Sequence, residues 1–419
     1  MKNLIKIKRI EVKNNRIEYF LEVFGYVKKF FVNNENMYVQ YQDSIEDIPF
    51  GIAVIPLLSN ILPIAWFSDA EIIIGELDKT FYNAIDNIKE GYSKMHPNAN
   101  LGGKISVKNI IDYSYEPSDK CATFFSGGVD SLGTLIEIID EKPILVTLWG
   151  SDISLDDKQG WDKVKREVVD FGNKRNLQNL LIESSFRRFI SEGELTKAYS
   201  KFMKDNDNWW HGAQHGIGLI GHVAPYAYKN KLKIIYIPAS LSPETINFSC
   251  ASHPTIDNEF KFAGCSTVHH GFENNRQNKI SIISDYIKES DDKLFIRVCW
   301  QSDGGINCSK CEKCSRTIMG LIANKINPNE HGFYIDKNTS KEIESNMKYN
   351  WILSESLIEF WNQIKNKFNK DKELWKKEES VNWILNINFN NLNRKKIINK
   401  KIKQLIIQIK VTLYKVLKR

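Results

Sequence analysis

Residues Cys121–Ile138, CATFFSGGVDSLGTLIEI, pass from a short apolar run into Ser126-Gly127-Gly128-Val129-Asp130-Ser131 and then into apolar residues at helical spacing. A strand feeding a glycine turn that opens a helix is an anion-binding arrangement. The glycines let backbone N–H groups approach a ligand, and the helix N-terminus supplies partial positive charge. The plainer reading of the same residues is a Gly-Gly turn followed by an Asp/Ser helix start. Two common nucleotide loops do not fit. A Walker A loop needs Lys-Ser/Thr after its second glycine, and the dinucleotide fingerprint needs G-x-G-x-x-G.

Downstream, strands and helices alternate: ILVTLW (144–149), WDKVKREVVDFGNK (161–174), NLLIES (179–184), a long helical stretch near HGIGLIGHVAPYAYKN (215–230), and KLKIIYIPAS (231–240). That order predicts an α/β fold, a parallel sheet flanked by helices, over residues 118–330. Upstream, RIEYFLEVFG (16–25) and AEIIIGEL (70–77) alternate as strands do. Phe81, Ala84, Ile85, Ile88 and Tyr92 share one helical face. Residues 1–117 therefore read as a small α+β domain. Residues 331–419 read as helical, with Trp351, Trp361, Trp375 and Trp383 as packing anchors.

At 419 residues, 42% hydrophobic and 26% charged, the chain has the profile of a globular protein of two or three domains. The N-terminal MKNLIKIKRIEVKNN keeps charges among its apolar residues, and GIAVIPLLSNILPIAWF (51–67) is interrupted by Pro56, Ser59, Asn60 and Pro63. Neither reads as an export signal or a membrane span, and the expected location is cytoplasmic. The net charge of +7 is concentrated in residues 394–419, which hold ten Lys/Arg and no acid; without those ten charges the remainder stands at −3. Charge thus gives no support to nucleic-acid binding by the main body. The tail sets Ile398, Ile402, Leu405, Ile409, Leu413 and Val416 at helical spacing among lysines. It suits docking on its own protein or a partner, a second copy included, ahead of peripheral contact with an anionic membrane.

Seven cysteines are present, and four of them, Cys299, Cys308, Cys311 and Cys314, follow the spacing C-x8-C-x2-C-x2-C. An odd count with clustering argues for a reducing compartment and a metal site. Four thiolates suit tetrahedral Zn²⁺, and Gly304 and Gly305 let the first loop fold back. An iron–sulfur cluster uses the same ligands.

The run S-G-G-x-D-S after a strand resembles the pyrophosphate loop of the N-type ATP pyrophosphatases, which cleave ATP between its α- and β-phosphates. With the cysteine spacing downstream, residues 119–326 resemble the 7-cyano-7-deazaguanine synthase family of the queuosine pathway, whose fold is the Rossmann-like adenine nucleotide α-hydrolase type. The resemblance implies ATP binding by Ser126, Gly127, Gly128, Val129, Asp130 and Ser131, with catalytic parts for Asp130, Ser131 and Lys279. A carboxylate beside polyphosphate repels it unless a divalent cation intervenes, so Asp130 implies Mg²⁺. The implied reaction is adenylation of a small carboxylate followed by attack of ammonia, giving an amide and, after a second ATP, a nitrile. The zinc is then structural.

The segment NDNWWHGAQHGIGLIGHVAPYA (206–227) departs from the family pattern and places His211, Gln214 and His215 where purine or ATP contacts are expected. The two histidines are four apart on a helix and without a nearby carboxylate, a poor metal pair. His253, Asp257 and Arg276 are further candidates for substrate binding, and Lys279 opens the apolar helix ISIISDYI (280–287) as a cation for departing pyrophosphate. With no cysteine in its first 120 residues, the N-terminal part is not a cysteine-dependent glutaminase, so the amine comes from solution or a partner. Three other readings stand beside this one: a ligase joining the carboxylate to an amine on a different acceptor, an RNA sulfur transferase using Cys121, Cys250 or Cys265, and a nucleotide-holding module without turnover.

Overall fold

A computed structural model describes residues 2–204, 207–245, 250–290, 293–299 and 305–393; Gly304 and the basic tail of residues 394–419 lie outside them. The chain divides into two compact units, residues 1–274 with 303–305, and residues 275–302 with 306–419.

The strands of the first unit are β1 (Leu4–Lys13), β2 (Arg16–Phe24), β3 (Met37–Tyr41), β4 (Glu71–Asp78), β5 (Lys104–Ile111), β6 (Cys121–Phe124), β7 (Ile144–Trp149), β8 (Asn179–Ser184), β9 (Ile234–Pro238), β10 (Lys261–Phe262) and β11 (Cys265–His270). They form one sheet in the order β10-β11-β9-β6-β7-β8-β3-β2-β1-β4-β5. From β11 to β8 every neighbouring pair is parallel, as is the run β1-β4-β5. This is the flanked, mostly parallel sheet that the alternation of strands and helices predicts. β7 shows why: five of the six residues of ILVTLW are buried, as a strand covered on both faces requires. β1 alternates instead, with Ile5 and Ile7 inward and Lys6 and Lys8 in solvent.

Residues 1–117, expected as a separate domain, share this sheet. β3 pairs antiparallel with β8, Val39 opposite Ser184 and Tyr41 opposite Ile182, and the Tyr38 hydroxyl donates to Glu183 at 2.6 Å. One core joins Ile5, Tyr19 and Val39 to Leu180, Ile182 and Ile235. The cause lies in helix α1 (Ile55–Ser68), cut from the interrupted apolar stretch 51–67, in which every residue is buried. A helix apolar on all sides needs cover on all sides, more than the N-terminal strands alone supply. Its polar Asn60 is satisfied locally, donating to Pro56 O at 2.8 Å and Gly218 O at 3.3 Å. No helix among the described residues is long and apolar enough to cross a membrane. Helix α2 (Lys79–Met95) buries the face expected, Phe81, Ala84, Ile85, Ile88 and Tyr92, and is capped by Asp78. Helices α3 (Val129–Glu137) and α4 (Lys158–Lys174) follow β6 and β7.

The second unit contains α5 (Arg276–Ser290), α6 (Glu312–Ala323) and α7 (Glu355–Lys370). Trp361, Trp375 and Trp383 are buried as anchors there, while Trp351 is half-buried. The cysteine cluster belongs to this unit, together with the C-terminal helices.

Candidate functional site

The glycine loop leaves the carboxyl end of β6 and enters α3. Gly127 sits at φ +71°, a left-handed conformation that costs a side-chain-bearing residue roughly 1 kcal/mol or more. Gly128 stands at the helix N-cap, so no side-chain oxygen caps α3, and Asp130 occupies its first turn. Ser131 is 5% exposed and holds the turn closed: its hydroxyl donates to Gly128 O at 3.1 Å and accepts from Ser126 N–H at 3.3 Å. The Ser126 hydroxyl accepts from Gly128 N–H at 3.3 Å. Ser126 is exposed, Gly127, Gly128 and Asp130 are half-buried, and Val129 packs inward. The loop therefore presents backbone, and a carboxylate at its rim.

His211 and His215 do not lie on a regular helix. They occupy and end one π-type turn, Trp210–Gln214, with ring centroids 6.3 Å apart. Gly216 follows at φ +88°, and a Cβ there would meet Asp257 Oδ1 at 2.6 Å, so the reversal after His215 requires glycine. The carboxylate thought missing is present: Asp207 Oδ2 accepts from His211 Nδ1. Beneath the rings is Cys250, 1% exposed, its Sγ 3.6 Å from His215 Nδ1. Burial opposes ionisation of this thiol, yet hydrogen bonds from His211 and His215 outweigh it and lower the group to about 6. Burial likewise opposes protonation of His211, but hydrogen bonding to Asp207 and Cys250 raises it to about 10. Cys121 and Cys265, lacking such partners, are each pushed up to about 12 by burial. Gln214 turns the other way, fully buried, and donates to Asn60 Oδ1 at 2.7 Å. It holds the turn against α1.

His253 caps a short helix at Pro254–Asp257, its Nδ1 2.8 Å from Thr255 Oγ1. Asp257 is fully buried and accepts from Ser252 Oγ at 2.7 Å and His269 Nδ1 at 2.8 Å, tying β11 to the segment after Cys250. These partners give Asp257 a structural part. Arg276 and Lys279 lie one turn apart on α5, 8% and 3% exposed, within the second unit. A cavity of about 670 Å³ lies elsewhere, across β3 and β8, lined by Tyr41, Trp149, Trp161, Lys165 and Glu183.

The four cysteine Sγ atoms of the second unit all lie within 4.8 Å of one another, the one such group of ligating side chains among the described residues. Cys299 to Cys311 and Cys308 to Cys314 are each 3.9 Å. A tetrahedral zinc with bonds of about 2.3 Å sets its sulfurs about 3.8 Å apart, so the set fits a metal ion and is compatible with zinc. Backbone N–H groups of Cys311 and Cys314 donate to Cys308 Sγ at 3.2 Å and Cys311 Sγ at 3.5 Å, and Cys311 caps α6. Asn307, absent from the sequence reading, fixes the far ligand. Its Oδ1 accepts from Val298 N–H at 2.9 Å and Cys299 N–H at 3.2 Å, and its Nδ2 donates to Ile296 O and Gly332 O.

Sequence reasoning also missed Asp207 and the pairing of Cys250. The i,i+4 spacing of Asp207 and His211 was the available signal for the first. The second joins residues far apart in the chain and had none. Comparisons with protein-family models, curated proteins and solved structures gave no match for this chain.

Proposed function

We propose that the protein is an ATP-dependent, AMP- and pyrophosphate-forming enzyme that adenylates a small carboxylate, 7-carboxy-7-deazaguanine or a related molecule, and converts it to an amide or nitrile with ammonia. The observation that carries this reading is the turn from β6 into α3. A left-handed Gly127 and a helix start without a side-chain cap stand at the carboxyl end of a central parallel strand, with Asp130 half-buried in the first turn. Mg²⁺ held by Asp130 would screen the phosphates and favour departure of pyrophosphate. The cysteine metal is read as structural zinc, because all four positions of a tetrahedral shell are taken by protein thiolates.

The test is a screen of small carboxylates for stimulated conversion of ATP to AMP and pyrophosphate, followed by Asp130→Ala. The variant is expected to lose about 100-fold or more in carboxylate-dependent AMP formation. Unchanged turnover in Asp130→Ala would sink the reading.

One observation favours a second reading, transfer of sulfur to an RNA base: Cys250 is a depressed thiol outside the metal set. Against it stands the net negative charge of the body without its tail.

A further inference from the structure

Of the three cysteines outside the four-cysteine cluster, Cys121 is the first residue of β6, its thiol 3.9 Å from Glu141 O, and Cys265 lies at the start of β11. Neither meets an imidazole in a described hydrogen bond. Cys250 meets His215 at 3.6 Å and also hydrogen-bonds His211, whose other partner is Asp207. His211 and His215 are half-buried, while Cys250 is covered. A carboxylate that orients a histidine, which in turn polarises a thiol, is the arrangement of an activated nucleophile. The alternative of a second metal site fails on geometry, since these side chains do not converge as the four cysteines do.

The centre lies on the same edge of the sheet as the glycine loop. Asp152, just beyond the end of β7, acts electrostatically on His215. Arg187, beyond β8, donates to Ser151 O at 2.8 Å, pairs with Glu192, and places its guanidinium 4.4 Å over the Trp210 ring. Phe186 contacts Trp210 and His222. Elements after β7 and β8 thus seat the π-turn, and β6, which feeds the glycine loop, is the next strand but one from β8. Two strand spacings are about 10 Å.

We propose that Cys250 is the acyl acceptor of the enzyme, taking the carboxylate from its adenylate as a thioester before the amine attacks. This rests on the adenylation reading above. The Cys250 thiolate attacks the acyl carbon; the C–S bond forms, the C–O bond to phosphate breaks, and AMP leaves with the electron pair. The thiol proton stays on the His211/His215 pair. The amine then attacks the thioester, the C–N bond forms, the C–S bond breaks, and the amine's proton goes to solvent while the returning thiolate again faces the imidazolium that kept the thiol proton. His211 and His215 act on the sulfur directly; Asp207 is a positioning residue for His211. The titratable groups that act on this sulfur are His211 and His215 from the turn and Tyr92 from α2; Asp207 reaches it only through His211, and Asp152, beyond β7, only through His215.

The first arm of the test is alkylation of the full metal-loaded chain with iodoacetamide, with the modified residue located by peptide mass. Cys250 is expected to react at pH 7 at least about ten-fold faster than Cys121 or Cys265. Its rate should be half-maximal near pH 6, where the thiol ionises. His211→Gln with His215→Gln should move that midpoint above the ordinary thiol value near 8.5, because burial alone raises a thiol. A wild-type midpoint at that ordinary value, or no preference for Cys250, overturns the proposal. The second arm follows ATP–pyrophosphate exchange and intact mass in one sample, without ammonia, using the carboxylate found by the screen. Expected is an adduct on Cys250 equal to the carboxylate less water, released by hydroxylamine and absent in Cys250→Ala. Exchange without that adduct overturns the thioester step alone. Absence of exchange overturns the adenylation reading and with it the acyl donor. A reductant-labile adduct of one sulfur atom overturns the proposal in favour of sulfur transfer.

Discussion

Cys250 and Asn307 show how much one residue's surroundings decide. Cys121, Cys250 and Cys265 are all buried, yet only in Cys250 does the thiolate gain more from two imidazoles than it loses from leaving water. Nothing in its own neighbourhood of sequence marks it, because the imidazoles come from the turn at Trp210–Gln214. His211 and His215 were legible as unusual; their purpose was not. Asn307, 2% exposed, uses both ends of its amide to hold the segment before Cys299 beside Cys308. Asn307→Ala leaves two donors and two acceptors short of partners. It is expected to cost about 2–3 kcal/mol in chemical denaturation and to reduce metal retained after dialysis against a chelator, measured by elemental analysis. Asn307→Asp keeps the acceptor side alone and should fall between.

Among the elements, α6 depends on the four-cysteine cluster most directly. Its N-cap is Cys311 and its first residue, Glu312, accepts from Trp361 Nε1 at 2.9 Å and pairs with Arg316, so one turn of helix joins the thiolates to α7. Removing the ion leaves adjacent thiolates to repel one another or take up protons, and the start of α6 loses its anchor. Chelation is therefore expected to lower the melting temperature and to expose Trp361, read as a red shift in tryptophan fluorescence. Cys308→Ser should reproduce both effects without chelator, and one metal per chain is the expected stoichiometry. The convergence of the four thiols was legible in the cysteine spacing, since ligands for one ion must be near in sequence or looped back. The π-turn was not plain. Its histidines have the i,i+4 spacing of an α-helix, and the wider turn becomes evident only where Gly216 takes a positive φ against Asp257.

At the scale of the molecule, alternating strand and helix signals were enough to give the mostly parallel sheet, whereas the sharing of that sheet by residues before 117 was not legible. β3 reads as the end of an N-terminal set, and pairing between residues nearly 150 positions apart, such as Tyr38 and Glu183, leaves no local mark. This long-range pairing also constrains the order in which the protein is made. The N-terminal strands emerge from the ribosome well before β8 exists, and until then α1, with its fourteen buried residues, has no complete surface to cover it. The nascent chain thus passes through a stage in which an apolar helix and an open strand edge are both in water, a substrate for chaperones. A fragment beginning at residue 118 would meet the converse problem, with the β8 edge that β3 covers left bare. Expressed alone, residues 118–274 are expected in the insoluble fraction, and co-expression of residues 1–117 should recover soluble protein, measured by fractionation of the two chains. The first hundred residues, which contain neither the glycine loop nor the four clustered cysteines, thereby act as a built-in folding partner for the sheet edge that they cover.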